Sequence, residues 1–393
     1  MGLEIELDRK KKCVYAKEPS SISSLVAGCY GKMHKGAVEL TSEEALYLLD
    51  IRNAKCADEA GNLYKFNDLA GIFGQKRQMA RYFTYGAWRD RGLVARGVED
   101  VEKNYGRSAV KKYPEGKFEK FGFGFLGRFY ADDLYCVIDD EHAAKKIYEE
   151  GWFGQFGTYK ADKRGKLGKL DVYETLFLMK HSGLDVENAK EEEVEKIAKE
   201  RRKDFGQLYE VYEDWRMNGF VLKTGFKFGT HFRVYFPGAT PVKGGGWVHS
   251  QHVLQIFARK SEMLISEWAR AIRVAHSVRK TFVLAINGQK KKSKGVKKGK
   301  IVHDLDFLLY HRRGQDIEKP KKGKPKYLML SLSEEEYLSG ERLAKAIEEC
   351  KSVGLELILG IADRESSVTF YAVKRIDIPS SEYEYYEIEW VQP

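Results

Sequence analysis

Cysteine is sparse and scattered: Cys13, Cys29, Cys56, Cys136 and Cys350 are the only five in 393 residues, and no two form a CxxC pair. That spacing argues against a zinc site and against a disulfide framework, and it leads us to expect a reducing, cytoplasmic setting. No apolar run approaches the ~20 residues a membrane helix needs. The opening MGLEIELDRKKKCVY is too charged for a signal peptide, so a soluble protein with no membrane partner is expected. H-E-x-x-H and clustered carboxylates are also missing near the residues singled out below, so neither a metal nor another cofactor is expected.

What is present is ordinary globular material with a basic excess. Hydrophobic residues make up 43% and charged residues 32%, enough for two to four packed units at this length. A net charge of +10 and pI near 9.0 suit a polyanionic partner, although a basic soluble protein without one has the same numbers. Twenty-three tyrosines add rings of the kind that stack on unpaired RNA bases.

The chain repeats itself twice. GCYGKMHKGAVELTSEEALYLL (28–49) has a partner in GQFGTYKADKRGKLGKLDVYETLFLM (154–179), and YFTYGAWRDRGLVARG (82–97) has one in YEVYEDWRMNGFVLKTG (209–225). Further on, Tyr235 and Tyr310, His249 and Lys324, and Lys280 and Leu355 are each 75 positions apart, with WARAI matching LAKAI and FVLAI matching LILGI in the same register. One copy of this later unit keeps Tyr, His and Lys; the other keeps only Tyr. Residues 98–133 are expected to join the early units. The tract GQKKKSKGVKKGK (288–300) reads as the linker between the late ones, either a plain tether or a contact to an RNA backbone.

Tyr, His and Lys suit cleavage of an RNA phosphodiester, which carries its own nucleophile in the 2′-hydroxyl. A histidine can protonate a departing 5′-oxygen near neutrality. A lysine can offset the extra charge on a crowded phosphate. A tyrosine is a poor base unless nearby cations lower its pKa, so positioning is equally open. Lys280 also has a plain alternative as a cation at a helix end. Arg273, Ser277 and Lys280 are expected to share a helical stripe, whereas His231, His252 and His276 are read as structural.

On these residues the chain resembles the tRNA-splicing endonuclease family of archaea and eukaryotes. TGFKFGTHFRVY (224–235), HSQHVL (249–254), RVAHSVRKTFVLAI (273–286) and VTFYAVKRIDI (368–378) carry the likeness, with His252 in a slot where the family has tyrosine. The resemblance implies an α+β protein of repeated small mixed α/β units. Two would be N-terminal-type domains (1–115 and 116–222), one a catalytic C-terminal nuclease domain (223–297), and one a silent C-terminal-type domain (298–393). It implies metal-independent cutting of precursor tRNA at bulge-helix-bulge junctions, leaving 2′,3′-cyclic phosphate and 5′-hydroxyl ends. Tyr235 would be the base, His249 the acid and Lys280 the transition-state stabiliser.

The resemblance also places Arg273 where a family arginine stacks on a bulged base, a cation–π contact; a solvated charge is the alternative. The family assembles four units, so this archaeal-type, single-chain, three-unit form is expected to pair as a homodimer. Asp363 and Glu365 in ADRESSV (362–368) fall at the acidic assembly loop, or in an ordinary exposed turn. The loop 157–171, longer by four positions than its counterpart and carrying Lys160, Lys163 and Arg164, is read as gripping RNA phosphates or as a solvated insertion. The tail SEYEYYEIEW (381–390) is expected as an edge strand at an interface. A noncatalytic RNA-binding scaffold of the same fold, and a metal-dependent DNA nuclease on a similar α/β unit, are the competing readings.

Overall fold

The computed structural model describes residues 2–101, 104–159, 164–243, 246–291 and 304–393. The described residues build one eleven-stranded sheet flanked by two smaller sheets, an α+β architecture. The strands of the large sheet are β1 (Ala95–Gly97), β2 (Val110–Lys112), β3 (Val221–Thr224), β4 (Phe232–Tyr235), β5 (His252–Phe257), β6 (Thr281–Lys290), β7 (Phe307–Leu309), β8 (Tyr327–Ser333), β9 (Glu356–Ala362), β10 (Val368–Asp377) and β11 (Tyr383–Val391). Their spatial order is β3-β4-β5-β6-β11-β10-β9-β8-β7-β1, with β2 beside β10.

That order is a palindrome about the β11–β10 seam. On each side the step away from the seam is antiparallel, the next is parallel, and the last two are antiparallel. The 75-residue repeat is carried into three dimensions without a slip. His252 sits opposite Thr281 and Tyr327 opposite Glu356. The helices Ile265–Ser277 and Gly340–Ser352 obey the same shift. Both sheet faces are covered here, so β5 and β8 read as near-continuous apolar runs.

Each early unit packs on one late unit, but crosswise. The second small sheet (residues 125–186) and helix Phe205–Met217 share a core with β4, β5 and β6. The first small sheet (4–64) and helix Gln78–Arg89 share a core with β7, β8, β9 and β10. A third core lies between the two paired helices and the shared sheet. The chain is thus two pseudo-symmetric halves, one holding Tyr235, His249 and Lys280, the other their degenerate counterparts.

Several expectations change. The tail is not an edge strand: β11 is hydrogen-bonded on both sides and fills, beside β6, the slot that β10 fills beside β9. The joining segment is not all linker, because it supplies β2, and Tyr113 is buried in the core that the second small sheet shares with β4, β5 and β6. Residues 288–290 of the lysine-rich tract belong to β6, and 292–303 lie outside the described residues. The early repeat also shifts by one glycine: Gly31 N–H donates to Glu44 as Gly154 N–H does to Glu174, at 2.9 and 2.8 Å. Each glutamate also closes a capping box, with Thr41 or Asp171 as the N-cap. From glycine to glutamate is 13 positions in one copy and 20 in the other, so the insertion is seven residues rather than four.

Two histidines give the fold an acid sensitivity. Burial pushes both His231 and His252 down to about 4. His231 accepts the Ile256 N–H at 2.9 Å, and His252 stacks on Phe236 with ring centroids 4.6 Å apart. Both must be neutral in the fold, so their contribution is complete above about pH 6.5 and is lost as the pH falls toward about 4. His252→Phe should therefore flatten the fall in urea midpoint between pH 6.5 and 4; an unchanged slope would place the lost protons elsewhere.

Candidate active site

Tyr235 ends β4 with its ring buried, 4.4 Å centroid to centroid from Trp152 of the second small unit. Burial holds its phenol above the usual tyrosine value, while the Arg233 charge and hydrogen bonding with Ser250 pull the other way. Arg233 Nη1 lies 3.3 Å from the phenol oxygen.

Lys280 does not continue the helical stripe of Arg273 and Ser277. The helix stops at Ser277, Arg279 takes a left-handed φ of 56°, and Lys280 N–H reaches back to the Ala275 carbonyl at 2.9 Å. Lys280 therefore enters β6 from a reversed turn, and its ammonium donates to the Ser250 carbonyl and, at 3.1 Å, to Ser250 Oγ. A purely dipole-offsetting role at the helix end does not fit that contact. Burial and the Arg233 charge lower its pKa, and the ammonium lies 4.7 Å from the Phe228 ring centroid.

Ser250 is the common partner of the tyrosine and the lysine, and His249, its neighbour in the chain, is exposed. The sequence offered one signal for Ser250: the repeat puts Pro325 in its place, beside Lys324, in the copy that has lost the other groups. His252, neutral and packed on Phe236, holds no proton to give near neutrality. Among the described residues no three His, Cys, Asp or Glu side chains cluster in a metal-ligating arrangement, and no helix is long and apolar enough to cross a membrane.

The other residues singled out lie apart from this cluster. Arg273 is exposed on its helix, and its charge acts on Tyr371 and Glu334 of the opposite half. Asp363 spends one carboxylate oxygen on the N–H groups of Glu365 and Ser367 at 2.9 and 2.8 Å, closing the β9–β10 turn, while Glu365 is exposed. Arg164 is exposed, and its carbonyl accepts the Thr158 N–H at 2.7 Å. Lys160 and Lys163 lie outside the described residues.

Residues 205–298 match the model of the tRNA intron endonuclease catalytic C-terminal domain, and residues 128–198 match that of its N-terminal domain. A tRNA-splicing endonuclease of Methanococcoides burtonii is 35% identical over 323 residues, covering 66% of this chain and 89% of its own. Shorter proteins of the same name from Pyrobaculum aerophilum and Hyperthermus butylicus are 32% and 34% identical, covering 40% and 39% of this chain and 88% and 87% of theirs.

Proposed function

The chain belongs to the tRNA-splicing endonuclease family, and we propose that Tyr235, His249 and Lys280 form the single cleavage site of each copy. The protein is a tRNA-intron endonuclease. In this reading it cuts precursor tRNA at bulge-helix-bulge junctions without a metal. The 2′-oxygen attacks the adjacent phosphorus, its proton passing to the Tyr235 oxygen, which must first ionise against its burial, with the Arg233 charge and Ser250 favouring that form. As the P–O2′ bond forms and the P–O5′ bond breaks, His249 protonates the departing 5′-oxygen and the Lys280 ammonium faces the nonbridging oxygens. Products are a 2′,3′-cyclic phosphate and a 5′-hydroxyl.

One observation carries the assignment: the tyrosine and the lysine meet at Ser250, beside His249, in one half, whereas the other half has Tyr310, Lys324, Pro325 and Leu355 at the same positions. Two sites per substrate then require two chains. The reading includes a homodimer, with Asp363 and Glu365 in its assembly loop, and with Arg273 and the 157–171 loop on the RNA. The boundaries 1–115, 116–222, 223–297 and 298–393 remain its division of labour, with β11 crossing from the silent segment into the catalytic half. Incubating end-labelled RNA carrying this junction in excess EDTA should give a cut in each bulge, with cyclic phosphate ends. Binding without cuts would favour the scaffold reading, and cuts that need restored magnesium would refute this set of residues.

A further inference from the structure

Beyond the three reacting side chains, a cleft of about 390 Å³ opens between the second small unit and the catalytic half, and Tyr235 itself forms part of its wall. That is the size of a small-ligand site. Its lining is unusual for a surface crevice: Trp152, Tyr135, Tyr148 and Tyr159 bring four rings, and Lys169, Lys223 and Arg233 outnumber Asp171 and Glu174. Rings beside cations are what an unpaired nucleotide needs, since every base has a face to stack and every linkage a charge.

Trp152 is the pivotal residue. It closes helix Glu141–Gly151 in the left-handed region, at φ 48°, where a bulky side chain is strained. The preceding Gly151 carbonyl is held by Arg216 at 3.0 Å, and the indole is thereby set against the Tyr235 ring.

The silent half is an internal control. Arg89 holds the Gly28 carbonyl at 2.7 Å as Arg216 holds Gly151, so Cys29, at φ 57°, is the counterpart of Trp152. Cys13 replaces Tyr135 and Leu308 replaces Arg233. The matching cleft there, about 370 Å³, carries six carboxylates, Glu39, Glu43, Glu44, Glu99, Asp100 and Asp306, against the cations Lys32, Arg81 and Arg96. The same backbone has kept the crevice in both halves, but the silent one is lined by a single ring, Phe307, and a clustered set of rings with a net positive lining occurs where Tyr235, His249 and Lys280 do.

We propose that the Trp152 cleft receives the base of the unpaired nucleotide that carries the attacking 2′-hydroxyl, stacking it on the indole and so fixing its ribose beside Tyr235. This rests on the reading above, in which Tyr235 faces that hydroxyl. The cleft selects for an unpaired nucleotide at the cut, because a base held in a helix cannot enter it.

The test uses the full-length protein and two junction RNAs, one intact and one lacking only the base of that nucleotide. The variant is Trp152→Cys, which installs the side chain found at this place in the silent half. The wild-type protein should cut the abasic RNA roughly ten- to hundredfold more slowly, the range that base–aromatic stacking supplies. Because the indole also packs on Tyr235, Trp152→Cys should slow both RNAs, but the intact RNA by a further factor of similar size that the abasic RNA, with no base to lose, does not show. Equal wild-type rates on both RNAs, or an equal loss on both in the variant, would overturn the proposal. Should Trp152→Cys not fold, Tyr135→Ser decides in its place, because Tyr135 is 50% exposed and outside the core. If the wild type cuts neither RNA, the cleavage reading fails instead. Fluorescence of 2-aminopurine at the same position then judges the cleft: quenching on binding that the variant loses sustains it, and no quenching rejects it.

Discussion

His249→Ala is expected to slow cleavage by about 10²- to 10⁴-fold, the contribution of a positioned general acid, while RNA affinity stays nearly constant because backbone cations carry it. The side chain is exposed, so removing it leaves no cavity and unfolding is not a competing explanation. The neighbouring His252 cannot take over, since burial holds it neutral down to about pH 4 and its ring is packed on Phe236. The role can be separated from mere presence by changing the leaving group. A substrate with sulfur in place of the 5′-oxygen at the cut departs without needing a proton, and it should restore most of the variant's lost rate. An unimpaired variant would return the protein to the scaffold reading. A slow variant that the sulfur substrate does not rescue would show that His249 acts on something other than the leaving group.

The sequence made the late repeat legible because a parallel pair buried on both faces cannot slip by one residue without turning its side chains over, so the 75-position shift survives from His252–Thr281 to Tyr327–Glu356. The candidate site was legible for a related reason: with two copies aligned, the absence of His and Lys from one singles them out in the other. Ser250 was not, because a serine has no distinctive chemistry until Lys280 and Tyr235 are seen to meet on it. Lys280 was misplaced on a helical stripe because nothing local announces the left-handed Arg279, whereas the silent copy has Gly354 at the same place. The insertion was misjudged because Gly-aromatic-Gly fits two registers, and the hydrogen bonds of Gly31 and Gly154 to distant glutamates choose between them. The tail misled most. Its alternating Tyr and Glu look like a strand with a wet face, yet Glu387 is buried against Lys111 at 2.8 Å and Tyr113 at 2.6 Å, and Glu384 accepts from Lys351 at 2.9 Å. Those partners lie 276, 274 and 33 positions away, beyond any local pattern.

The position of β11 makes a residue remote from the chemistry decisive for it. Ile388 is fully buried, opposite Phe282 on β6 and Val373 on β10, at the seam where the two halves meet. Proline there removes an N–H from a strand paired on both sides and forces its ring into the ladder, so Ile388→Pro should destabilise the fold strongly. Losing the isoleucine side chain from the core adds to that. The loss should not stay local. β6 leads straight out of Lys280, and the helices on either side of the seam share one core, so weakening β11 withdraws support from the active half and the silent half together. Calorimetry should accordingly give one transition in the wild type and one, at markedly lower temperature, in the variant, with cleavage lost at temperatures where the wild type works. Two separated transitions, or a variant whose catalytic half melts at the wild-type temperature, would mean that the halves fold independently. In that case β11 is an appended tether, and the silent half supports the site only by binding RNA or a second chain. A single lowered transition means that the silent half is part of the active site's framework, which is a physical reason for a chain to carry a copy that has lost its catalytic residues.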